Sequence, residues 1–291
     1  MDKNSLEKSQ RYLDIVLDLF KRGSITGRLD SESQQFDWKD HGNAIRILKL
    51  STTGFGDYKK DVGYPQGAIT AVWETIKLEC DRGVKFLFDR VDDMEMLGLT
   101  IGRAAQNFVD YQMVPELDAF RFAKYADGGI KGATETLDNT NILAAFDRAK
   151  SYMNNHNVPR EGRILYVNED LETAANNALK RVWGSDSVIN TEVLKYNDME
   201  IIYVPPNRFH DEITLNSGDS DQWGYVPGGN EINFMLLYPK AVVQAWKANK
   251  VKFIDADDNQ TVDSHEFQFR FLHDASVIDH YKDGVYSSIK E

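Results

Sequence analysis

The sequence predicts an α+β fold, and three observations predict it. Apolar and polar residues alternate in short runs between residues 44 and 89, the period of strands. Beyond residue 92, apolar residues recur at three- and four-residue steps, the period of a long helix. From about residue 133, helical and strand-like segments take turns along the chain, the pattern of an α/β lobe.

Residues 5–22 read as an amphipathic helix. Leu6, Leu13, Val16, Leu17 and Phe20 share one stripe, with Ser5 as N-cap and Gly23 as the stop. Residues 23–43 are polar and read as an extended arm outside the core. Ala44–Ser51 reads as a strand, and so does Ile69–Cys80, which places Ile76, Leu78 and Cys80 on one face. Asp81-Arg82-Gly83 is a turn signal before a third strand, Val84–Asp89. Residues 51–67 hold four glycines and a proline and predict a long exposed loop, a length that is usually functional or mobile.

Acidic residues at 89, 92, 93 and 95 suit the start of a helix, whose dipole favours negative charge there. Leu97, Ile101, Ala104, Ala105 and Phe108 carry its apolar face. Pro115 and Glu116 predict the first turn of a second helix, which Gly128-Gly129 ends. Asn139–Asn155 is a helix with Ile142, Phe146, Ala149 and Met153 inward, and Arg163–Val167 is a buried strand. Asn168 caps the next helix, Met199–Val204 is a strand, and residues 207–230 read as a loop. Asn233–Tyr238 is a strand, Pro239 opens a helix through Trp246, and Val251–Ile254 is again a strand. Phe267, Phe269 and Phe271 mark one face of a last strand.

The 291 residues carry 34 Lys and Arg against 46 Asp and Glu, a net charge of −12. Such a balance argues against a duplex nucleic-acid binder, which needs clustered cations. With 42% hydrophobic residues the chain can bury a core, which excludes wholesale disorder. The single cysteine, Cys80, rules out an intrachain disulfide, points to a reducing compartment and reads as a small buried hydrophobe. No secretory signal opens the chain, and no run approaches the 18 or so apolar residues of a membrane span.

Catalytic and cofactor signatures are missing from the sequence. It has no phosphate loop, no dinucleotide fingerprint, no nucleophile elbow, and no histidines at zinc spacing. The expectation is no enzyme, no cofactor and no metal. Residues 255–266 place oxygens where a calcium loop needs them. Gln260 stands where that loop needs glycine, and the flanks read as strands, so the segment reads as an acidic turn. Tyr58-Lys59-Lys60 is an aromatic-basic cluster, read as a solubilised loop tip in preference to a nucleic-acid contact. The arm and the protruding loop have no way to bury themselves on a lone subunit, so neighbouring copies are expected to cover them.

Five segments carry a family resemblance. They are GFGDYKKDVGYPQGAITAVWETIKLECDRGVKFLFDRVDD, VPELDAFRFAKYADG (114–128), VPREGRILYV (158–167), MEIIYVPPNRF (199–209) and INFMLLYPKAVVQAWK (232–247). In this order and spacing the chain resembles the major capsid proteins of tailed bacteriophages, those of the Hong Kong ninety-seven-type fold. The resemblance implies an N-terminal arm (1–35), an extended β-hairpin loop (36–91) and a spine helix with peripheral domain (92–132). It further implies an α/β axial domain (133–250) and C-terminal strands returning to the peripheral domain (251–291). The implied function is self-assembly as hexamers and pentamers into an icosahedral shell around double-stranded phage DNA, built in the host cytoplasm. The alternatives are an encapsulin-like nanocompartment shell or a cytosolic enzyme.

The expected inter-subunit contacts are Leu6, Leu13 and Phe20 on the arm, and Phe55, Tyr58, Lys59, Lys60 and Tyr64 on the loop. Expected partners are further copies of the chain, with separate scaffolding, portal or decoration proteins. DNA is expected only in loose proximity to a negative inner wall. The helical, highly charged N-terminal scaffolding block of some relatives is missing, so a separate scaffold, or none, is expected. Lys59 and Lys60 fall where some relatives cross-link covalently, but no motif fixes an Asn partner, and no cross-link is expected.

Overall fold

The computed structural model describes residues 23–29, 44–61, 63–89, 100–183, 195–259 and 262–291. The helix expected at 5–22, with Leu6, Leu13 and Phe20, and the acidic residues 92, 93 and 95 lie outside them.

Strands β1 (Ala44–Thr52) and β2 (Ile69–Lys77) pair antiparallel as a two-stranded ribbon, from Ala44 opposite Lys77 to Thr52 opposite Ile69. The chain kinks at Leu78-Glu79, where Asp274 Oδ2 accepts the Glu79 N–H at 3.1 Å. It then enters β3 (Cys80–Asp89). Asp81, Arg82 and Gly83 are therefore strand residues and not the expected turn. Their pairing with Leu272, Phe271 and Arg270 overrides the local turn signal.

Helices α1 (Thr100–Phe108) and α2 (Val114–Gly128) form one rod through a π-helical turn at Val109–Met113. Pro115 sits in the first turn of α2, as expected, but that helix follows α1 without a break. Pro115 lacks an N–H, and in a regular α-helix its ring would press on the Tyr111 carbonyl. The π turn widens the backbone here, with Val114 N–H donating to Val109 O, five residues back.

Strands β4 (Ile130–Thr134), β5 (Ile164–Asn168), β6 (Lys195–Tyr196), β7 (Met199–Val204), β8 (His210–Leu215), β9 (Tyr225–Leu237) and β12 (Val285–Ile289) form a seven-stranded mixed sheet. Its order is β4-β12-β9-β5-β7-β6, with β8 on the distal half of β9. Helices α3 (Ile142–Asn155) and α4 (Glu172–Trp183) cover one face. There Ile142, Phe146 and Met153 pack on Leu165, Val167 and Phe234. Rod α2 covers the other, with Phe122 and Tyr125 on Tyr166, Met235 and Leu237. Successive residues of β5 point into opposite cores, which is why that strand reads as unbroken apolar sequence. Asn168 caps as expected, accepting the Asp170 N–H at 3.0 Å.

Strands β10 (Val242–Ile254) and β11 (Ser264–Val277) join β3 in a three-stranded antiparallel sheet, order β10-β11-β3. Phe267, Phe269 and Phe271 face the α1–α2 rod, against Val109, Met113 and Leu117. Leu272, on the opposite face, packs with Val243, Ala245, Leu78 and Ile45.

Four expectations are corrected here. Residues 207–230 are mostly a β8–β9 hairpin: His210 lies opposite Glu231 and Leu215 opposite Tyr225. Pro239 opens only a 3-10 turn, Pro239–Ala241, and the chain then runs straight into β10. Val242 and Val243 are stiff at the β-carbon and fill two different cores, which favours a strand. Residues 242–250 thus sit in the three-stranded sheet and not with the α/β lobe. Strand β12 does the reverse: within 251–291 it inserts between β4 and β9 of the seven-stranded sheet. Burial of both of its faces overrides its place in the sequence.

Candidate inter-subunit surfaces

The ribbon is amphipathic because directly paired residues share a face. One face begins with Ile45 and Ile76, buried or packed at the base against Val243 and Leu272. It continues with Lys49, whose Nζ lies 2.9 Å from both Glu74 and Asp279. These acceptors, Glu74 foremost, raise the Lys49 pKa, and Asp279 ties the ribbon to the body. On the other face, Leu48 stands opposite Trp73, Leu50 opposite Ala71, and Thr52 opposite Ile69. That face is bare: Leu50 is 59% exposed, Trp73 52% and Ile69 77%.

The connecting loop is exposed as expected and carries Phe55, Tyr58, Lys59, Lys60 and Tyr64. Thr53 closes its neck, pairing with the Ala68 backbone. Lys59 and Gly63 close its tip through two backbone bonds, with Gly63 at φ +88°, where glycine is favoured. Tyr58 and Tyr64 meet with ring centroids 5.0 Å apart. The structure therefore brings the five loop residues together on one projection. Sequence reading missed Leu48, Leu50, Ile69 and Trp73, although alternation across two paired strands was the signal for them.

The arm root behaves oppositely. Residues 24–29 were expected outside the core, yet Ser24, Thr26 and Leu29 are buried. Asp118 of α2, 0% exposed, accepts from Ser24 Oγ at 2.7 Å and Thr26 Oγ1 at 2.6 Å. It also accepts the backbone N–H groups of Ile25 at 3.1 Å and Thr26 at 3.2 Å. The signal was an Asp and an Arg, Asp118 and Arg121, within the apolar run from Leu117 to Ala123 of a helix whose residues are mostly buried. Charges in such places need partners.

A third feature is a groove of about 420 Å3 between β3, the rod and the tip of the β8–β9 hairpin. Phe86, Phe108 and Phe269 line it, and exposed Trp223 overhangs it. Arg82 closes one wall. Its guanidinium donates to both Glu116 oxygens, at 2.7 and 3.1 Å, and to the Asn216 and Gly224 carbonyls.

Two buried groups lie beside this groove. His273 stands opposite Cys80 in the sheet register. Burial, with Arg121 and Arg82 nearby, pushes the His273 pKa down to about 3, so the imidazole is neutral near pH 7. Burial pushes the Cys80 thiol up to about 12. Among the described residues no cluster of three or more His, Cys, Asp and Glu is placed to hold a metal. Within 255–266, Ala256–Asp258 forms a 3-10 turn after β10, and Ser264–Glu266 already belong to β11. Asp255 accepts its neighbour's Ala256 N–H at 2.9 Å, and His265 Nδ1 lies 3.1 Å from Asp255. No described helix is long and apolar enough to cross a membrane.

No family model matches the sequence, and no curated protein matches it. Solved structures do. The mature capsid of bacteriophage PhiM1 aligns with TM-score 0.64 at 11% identity, over 86% of this chain and 83% of that one. The capsid of cyanophage P-SCSP1u aligns with TM-score 0.61 at 13% identity, over 86% and 84%. A virus-like particle from Pyrococcus furiosus aligns with TM-score 0.55 at 10% identity, over 94% and 95%. At such identities the likeness is one of architecture, and on it the chain has the Hong Kong ninety-seven-type fold of tailed-phage major capsid proteins.

Proposed function

We propose that the chain is a major capsid protein that assembles as hexamers and pentamers into an icosahedral shell around double-stranded phage DNA. In this reading the ribbon and its loop are the extended hairpin, and the α1–α2 rod is the spine helix. The three-stranded sheet belongs to the peripheral domain, and the seven-stranded sheet with α3 and α4 is the axial domain. The role is structural and not enzymatic. Separate scaffolding, portal or decoration proteins are its partners besides its own copies, and assembly takes place in the host cytoplasm.

The ribbon carries the reading. An isolated two-stranded hairpin is marginal in water, and this one leaves Leu50, Ile69 and Trp73 bare on one face. Covering each large apolar side chain is worth about 1.5–3 kcal/mol. Neighbouring copies are the cover that this fold offers, in obligate interfaces of about 2,000–5,000 Å2. Size-exclusion chromatography and negative-stain microscopy of the purified chain test it. Megadalton shells or capsomers are expected, and a compact monomer that never assembles refutes it.

A nanocompartment shell is the second reading, favoured by the near-complete coverage of the Pyrococcus furiosus particle. Particle contents separate the two. Nuclease-protected double-stranded DNA supports the phage capsid, and a protein cargo supports the compartment.

A further inference from the structure

Three features make the Asp118 cluster more than a filler of space. First, its contacts are ordered along the chain: a hydroxyl from residue 24, an amide from 25, and an amide and a hydroxyl from 26. A slip of one residue would put a glycine and Ile25 where the two hydroxyls stand and lose both side-chain bonds, whereas apolar packing alone tolerates slippage. Second, the cluster is reinforced from every side. Arg121 Nη1 donates to Thr26 Oγ1 at 2.9 Å, Gln244 Nε2 donates to the Thr26 carbonyl at 3.2 Å, and Arg208 Nη1 lies 3.5 Å from Asp118. Arg28 pairs with Glu200 of β7. The turn is thus keyed to the rod, to both sheets and to the segment after β7. Third, a buried carboxylate is a costly way to hold a loop, and residues of similar volume would hold it more cheaply. What the carboxylate adds is a unique register and direction.

We propose that Asp118 is a positioning residue for assembly: through the 24–26 turn it fixes the point at which the chain before Gly23 joins the subunit body. This rests on the capsid reading, in which that segment reaches a neighbour. A fixed departure point starts every subunit's arm from the same place, which suits the repeated equivalent contacts of a closed assembly.

The test uses the full chain in four forms: wild type, Asp118→Asn, the double variant Ser24→Ala/Thr26→Val, and the conservative Thr26→Ser. Hydrogen exchange is read on dissociated subunits, and particle diameters by negative stain at equal subunit concentration. In Asp118→Asn and the double variant, exchange at the Ile25 and Thr26 amides should rise at least about tenfold while α3 and β5 stay protected. Particles should become open or mixed in diameter. Thr26→Ser keeps the hydroxyl and should match wild type. The double variant leaves the helix untouched and guards against a folding defect in Asp118→Asn. Unchanged exchange, or raised exchange with wild-type particles, overturns the proposal alone. Wild-type chain that makes no particles at all sinks the capsid reading and the proposal with it.

Discussion

The arm root and the ribbon are both segments that a sequence reader places outside the core, yet they reach opposite fates. The polar Ser24 and Thr26 end up locked inside, because Asp118 accepts from both hydroxyls and from the Ile25 and Thr26 amides. The ribbon is richer in apolar residues and ends up outside, because only its base reaches a core. Polarity alone does not decide burial. A polar turn is buried when its hydrogen bonds are met, and an apolar strand stays bare when the subunit has no second surface to lay on it.

The largest effect should come from the ribbon. Leu50→Glu with Trp73→Glu puts charge on the bare face. Shells should be lost outright by size-exclusion chromatography. The melting of free subunits should shift by less than about 0.5 kcal/mol, as for other exposed positions. Normal shells from this variant would break the comparison, since the apolar face would then need no cover.

The arm root should answer in the opposite currency. Asp118→Ala leaves Arg208 without the buried carboxylate 3.5 Å from it and strands the Ile25 and Thr26 amide donors. Breaking a buried charge cluster from one side costs about 3–5 kcal/mol. Urea unfolding of free subunits reads this loss, and a cost within about 0.5 kcal/mol of zero would show that the turn is held by Leu29 and its apolar neighbours alone.

These two regions also mark how far the sequence is legible. The α/β lobe follows local pattern closely: Ile142, Phe146, Ala149 and Met153 predict the inward face of α3, and all four are buried. Local rules fail where a distant partner decides. Gly83 signals a turn, but ten residues of β11 hold its strand straight. Pro115 does mark the first turn of α2, but nothing local reveals the π turn that joins α2 to α1 in one rod. Pro239 signals a helix, but β11 claims the residues after it as strand. Asp118 was in view as a residue in a helix. Its donors lie over ninety positions away, which no periodicity reveals. Of the expected contact residues, the five on the loop share one exposed projection. The bare ribbon face emerges only once β1 and β2 are set in register.

A smaller effect separates body from ribbon by pH. His273 is buried against Phe120 and Phe271, with Arg121 and Arg82 facing it, and stays neutral down to about pH 3. The unfolded chain takes up that proton near pH 6.5. Between about 6.5 and 3 the unfolded state therefore binds more protons, and stability falls as pH falls. The loss should reach about 2 kcal/mol by pH 5, at 1.36 kcal/mol per unit, and His273→Phe should remove that slope. Above pH 6.5 the two proteins should show no difference in slope from this group. An unchanged slope between pH 6.5 and 5 in the variant would refute this role for His273, since Asp81, which Arg270 holds below the usual carboxylate range, loses its contribution only nearer pH 4 and below.

The smallest effect tests where the ribbon ends and the body begins. Cys80 is the first residue of β3, immediately after the kink, and burial holds its thiol at about 12. Thiolate is the reactive form, so a disulfide reagent at pH 8 should label native subunits at least about a hundredfold more slowly than urea-unfolded chain. If the boundary lies at Leu78-Glu79, the rate should be the same in free subunits and in shells, because docking the ribbon leaves the body side of the kink untouched. Fast labelling of free subunits that stops on assembly would move the boundary past Cys80. The bare surface would then extend into β3, and the groove under Trp223 would become part of what a neighbour covers.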